Sequence, residues 1–168
     1  MKFPFHFCFI FVSFSLSAQI PDLSLSYPIS IFNSDTCCWR KLSANNYHEE
    51  AARLLISYYK KNKKLINKQP LYWHAGQCFA FEGQNEMAIQ YMKKTYSPLF
   101  NRFGGKDGKT WYYYANGTVA FLERNQKKLS KMILQWEKLY PLDINYNALL
   151  LLQRNWTASY KDINRKVK

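Results

Sequence analysis

A histidine beside a carboxylate is the pairing that general acid–base chemistry needs, and the sequence offers it twice. His74 stands ahead of Glu82 and Glu86. His74 and Glu82 are two helical turns apart, too far for a hydrogen bond along one helix. His48-Glu49-Glu50 carries carboxylates but lacks the second His of a zinc-protease helix. A third reading is phosphate binding. Gly104-Gly105-Lys106-Asp107-Gly108-Lys109-Thr110 ends in Gly-Lys-Thr just before a helix. The first glycine of a phosphate loop would fall on Phe103, and no buried strand precedes it. The stretch is therefore read as a flexible glycine-rich loop, Ser97–Thr110. Its Arg102, Lys106 and Lys109 are placed to meet an anionic partner.

Cys37, Cys38 and Cys78 follow the leading apolar segment, with no Cys-x-x-Cys pair and no Cys/His spacing suited to zinc. Cys37 and Cys38 are neighbours, and pairing of either with Cys78 stays open. Cys78 itself reads as a small buried residue on a helix. No catalytic set, metal or cofactor is expected.

The elements that would carry these residues are helical. Residues 1–18 read as a secretory signal: Lys2, an apolar run from Phe3 to Leu16, then Ser17-Ala18 at a cleavage site. Cleavage after Ala18 implies export to the periplasm or beyond. Residues 19–34, with two prolines and many serines, read as an extended linker or a strap lying on the first hairpin. Residues 35–168 form the predicted helical domain. Helices are expected over 35–43, 47–63, 71–82 and 85–96. In the second of these, Ala51, Ala52, Leu55, Tyr58 and Tyr59 make one apolar stripe. Further helices carry Trp111, Ala115, Thr118 and Leu122, then Leu129, Met132, Ile133, Trp136 and Tyr140. A last one covers 145–156, and a short basic turn runs from Ser159 to Lys168.

The stretch 71–96 resembles a tetratricopeptide repeat, a helix–turn–helix unit of 34 residues. Gly76 falls on the small position of the first helix, with Tyr72 and Phe79 on its aromatic positions. Gly83 takes the turn glycine and Ala88 the alanine of the second helix. A weaker unit spans 111–141, with Tyr113, Gly117 and Pro141 on matching positions. The hairpin 39–59 resembles a degenerate first unit. The resemblance implies an all-α solenoid of about three stacked antiparallel hairpins plus a C-terminal helix. It also implies a concave face that binds a peptide or partner protein, and Trp73, His74, Gln77, Tyr112 and Asn116 are the contact residues it points to.

Composition fits this picture. Aromatic content is 18% and net charge is +13. The first supplies a core, and the second attracts anionic partners. The alternative to a peptide-binding module is thus an electrostatic binder of an anionic envelope surface or glycan through lysine-rich faces. Nucleic acid is not the expected partner of an exported chain. Asn116-Gly117-Thr118 and Asn155-Trp156-Thr157 match the glycosylation pattern but lie in predicted helices.

Overall fold

The computed structural model describes residues 22–65, 67–140 and 143–165. The expected signal segment and Pro141 lie outside these residues. Every described element is helical: α1 (Ile29–Phe32), α2 (Cys38–Ala44), α3 (His48–Lys61), α4 (Gln69–Phe81), α5 (Asn85–Met92), α6 (Pro98–Phe103), α7 (Gly105–Leu122), α8 (Gln126–Glu137), α9 (Ile144–Arg154) and α10 (Tyr160–Arg165). Short 3₁₀ turns cover Asp22–Ser26 and Lys93–Thr95. Consecutive helices pack side by side from α2 through α5 and again from α6 through α8. The two groups join where α5 meets α7, and α9 lies against both α7 and α8. No described helix is long and apolar enough to cross a membrane.

Most residues of the stripes predicted for the long helices are buried, with Tyr59, Trp111 and Tyr140 only partly so. Ala51, Ala52, Leu55 and Tyr58 of α3 are buried, as are Leu129, Met132, Ile133 and Trp136 of α8. Small residues set the helix spacing. A Cβ on Gly76 of α4 would stand 2.6 Å from the Met92 side chain and 3.1 Å from the Ala88 carbonyl of α5. A Cβ on Gly117 of α7 would meet Leu149 of α9 at 2.6 Å. Both glycines sit mid-helix, where Gly costs about 1 kcal/mol against Ala. The close approach of the next helix is what requires them. Gly83, with φ +74°, ends the α4 hairpin turn.

Four boundaries differ from the sequence reading. Residues 22–33, read as an extended linker or a strap lying on the first hairpin, form a 3₁₀ turn and a single α-helical turn. They lie on α3: Phe32 stacks on Tyr58 at 3.6 Å, and the Tyr58 hydroxyl donates to the Tyr27 carbonyl at 2.8 Å. The helix ending the second hairpin stops at Met92 and tightens into the 3₁₀ turn. There Thr95, buried, donates to the Met92 carbonyl, and its own carbonyl accepts from Trp111 Nε1. The supposed loop Ser97–Thr110 is helical, forming α6 and the first turns of α7. Its glycines do not loosen it. They allow contact: a Cβ on Gly104 would meet the Phe100 carbonyl at 2.6 Å and the Gly108 Cα at 2.7 Å. Finally, the tail read as a basic turn contains α10. Ser159 caps it, accepting from the Asp162 amide at 3.1 Å while its hydroxyl donates to the Asp162 carboxylate at 2.6 Å.

Candidate functional site

Side chains of α2, α7 and α10 meet α4, which carries His74 and Gln77. From α2, Trp39 lies under the Arg40 guanidinium (4.4 Å) and stacks on His74 of α4 at 4.8 Å. Trp39 Nε1 donates to Asn33 Oδ1 at 2.9 Å, which fixes its ring. His74 Nδ1 is 2.9 Å from Gln77 Oε1, one turn along the same helix. Burial, with a contribution from Arg40, pushes the His74 pKa below its ordinary value. The imidazole is thereby held neutral, with an amide rather than a carboxylate as its partner. This arrangement suits stacking and hydrogen bonding.

Trp73 packs on Trp111 (4.9 Å) and Tyr114 (5.2 Å) of α7. The structure corrects its assignment as a contact residue: Trp73 is 5% exposed and belongs to the core. Asn116 is corrected in the same way. It is 6% exposed, accepts from the Tyr96 hydroxyl at 3.2 Å and points its amide at Met132. That burial also removes Asn116 as a glycan acceptor. Tyr112 is half-buried between Tyr96 and Tyr113. Of the residues expected on one concave face, His74 and Gln77 are hydrogen-bonded neighbours on α4. Arg102 and Lys106 are exposed and Lys109 is half-buried, on α6 and the first turns of α7.

The residue the sequence reading missed is Tyr160. It opens α10, which turns back over α4 instead of continuing away from it. Its ring meets Phe81 at 5.4 Å, and its hydroxyl hydrogen-bonds with the Gln77 side chain while Tyr114 and Cys78 flank it. Burial raises its pKa strongly, with Tyr114 adding to the effect. Ile163, one turn on, is also buried. Arg124 holds the approach to α10. It adopts φ +55° after α7 and donates from Nη1 to the Trp156 carbonyl and from Nη2 to the Ala158 carbonyl, the latter at 3.0 Å. The Ser159-x-x-Asp162 capping pattern was the available sequence signal for this helix.

Two hollows border α10. One of about 30 Å³ is lined by Tyr114, Thr118 and Tyr160, with the buried Thr118 hydroxyl unpartnered. It has room for a single water. The other, about 340 Å³, opens between Gly83, Phe121, Arg124 and Lys161. A larger, open groove of about 800 Å³ lies elsewhere, beside Ile29, Lys61, Lys63 and Lys64.

Cys37 and Cys38 are joined to each other by a disulfide. Cys78 is a free thiol, 2% exposed, and burial pushes its pKa up to about 12, which leaves it protonated and unreactive. Among the described residues, no group of three or more His, Cys, Asp or Glu could hold a metal ion. No protein-family model, curated protein or solved structure matches this chain.

Proposed function

We propose that the chain is an exported, non-catalytic interaction module, built as a tetratricopeptide-like stack of antiparallel hairpins. It binds a short helical segment of a partner protein across the inner side of α4 and α7. One observation carries this reading. That surface already holds a helical segment, the chain's own α10, through a buried tyrosine and a buried isoleucine three residues apart. A surface that accepts Tyr160 and Ile163 is chemically matched to an amphipathic helix with an aromatic and an aliphatic anchor at that spacing. His74 and Gln77 supply the polar positions beside it.

The test unseats α10 without shortening the chain. In a Tyr160→Ala/Ile163→Ala variant the surface is freed, and a synthetic peptide spanning residues 157–168 is titrated calorimetrically. The peptide is expected to bind the variant and to be excluded from the wild type. If the variant stays helical by circular dichroism and binds no peptide, the reading fails. It fails equally if the variant unfolds, because α10 is then a structural cap and not an occupant.

A further inference from the structure

The α6–α7 corner combines two features that seldom coexist on a solvated surface. Leu99 and Phe103, four residues apart and so on one side of α6, are 62% and 71% exposed. Leu139, just past the end of α8, is 46% exposed. Around them stand cations. The Arg102 guanidinium lies 5.1 Å from the Phe103 ring centre, and Lys106 Nζ lies 5.3 Å from that of Tyr140, the neighbour of Leu139. Lys109 and Lys138 complete the set, with Asp107 and Glu137 the carboxylates at the same corner. The apolar side chains are not on a loose loop that could fold them inward. The Gly104 and Gly108 backbones press against Phe100 closely enough to exclude a side chain at Gly104, so α6 is fixed on α7 with Leu99 and Phe103 held outward.

We infer that this corner docks the protein on an anionic phospholipid bilayer. Leu99 and Phe103 enter the headgroup–acyl boundary while Arg102, Lys106 and Lys109 meet lipid phosphates. Isolated apolar tips ringed by basic side chains match an interface in which apolar depth and negative charge lie within a few ångströms of each other. The excess of positive charge over the whole chain, +13, favours the same surface. The inference is independent of the peptide-binding surface on α4 and α7, and of whether α10 occupies it.

The experiment is co-sedimentation of the full protein with vesicles of phosphatidylcholine alone and of phosphatidylcholine mixed with phosphatidylglycerol. Binding is expected to the mixed vesicles only, weakening as salt rises. Leu99→Ser/Phe103→Ser is expected to cut that binding about tenfold or more, with unchanged thermal stability because both side chains are exposed. Arg102→Gln/Lys106→Gln is expected to cut it by about fivefold per charge. Absence of binding to the mixed vesicles overturns the inference. So does a Leu99→Ser/Phe103→Ser protein that binds them as the wild type does, since attraction is then a matter of charge alone. Equal binding to phosphatidylcholine vesicles overturns it as well.

Discussion

His74 is where the sequence invited catalysis and the structure supplies packing. The residue projects from α4 and stacks on the Trp39 ring, with Arg40 nearby and Gln77 as hydrogen-bond partner. Its folded pKa is depressed below the unfolded value of about 6.5. The neutral form is therefore favoured by folding, and the associated stability is present above that unfolded pKa and lost as pH falls through the folded one. Melting temperature is expected to drop between pH 7 and pH 5 in the wild type and to drop less in His74→Gln. His48 is retained in both proteins, so the difference between the two curves belongs to His74. Identical slopes would show that His74 is not buried as described. At this scale the sequence was legible for residues whose burial follows from helical period, such as Leu55 and Ala88. It was misleading for Trp73 and Asn116. Their positions face a groove in an open repeat array, but here α7 and α8 close over them.

Elements were legible where polarity alternates along a helix, as in α3 and α8, and illegible where glycine stood for contact rather than freedom. Gly104, Gly105 and Gly108 read as a loop because no side chains mark a face. Only Gly105, at φ +60°, needs glycine for its backbone angle. Gly104 needs it for space, since its φ of −79° suits any residue. Gly104→Ala must push the Phe100 carbonyl or the Gly108 backbone aside. Overpacking of this kind costs about 1–3 kcal/mol, and Gly104 caps both helices, a position where interior helix propensity does not apply. A lower urea midpoint with unchanged helical content is the expected result. A variant as stable as the wild type would mean that α6 is not pressed onto α7. The tail helix was hidden for another reason. Its length is six residues, too short for periodicity, and its stability comes from Tyr160, Ile163 and the Arg124 clamp rather than from propensity.

At the scale of the molecule, α10 joins distant parts of the chain, since Tyr160 meets Phe81 and approaches Cys78 across nearly half of the sequence. Unseating it with Tyr160→Ala/Ile163→Ala is expected to open Cys78, whose thiol is otherwise shielded, to a thiol reagent. The wild type should react only as fast as it unfolds, and the variant appreciably faster. Equal rates would place the cover over Cys78 elsewhere. The same geometry fixes an order of events during synthesis. The helices from α2 to α5 are made first and can pair with one another, but Phe81 and Tyr114 keep one flank wet until residues 159–163 have emerged. A nascent chain halted before that point carries an open aromatic face and an unshielded thiol. Once residues 159–163 have docked, Tyr160 and Ile163 are themselves buried and Cys78 is shielded.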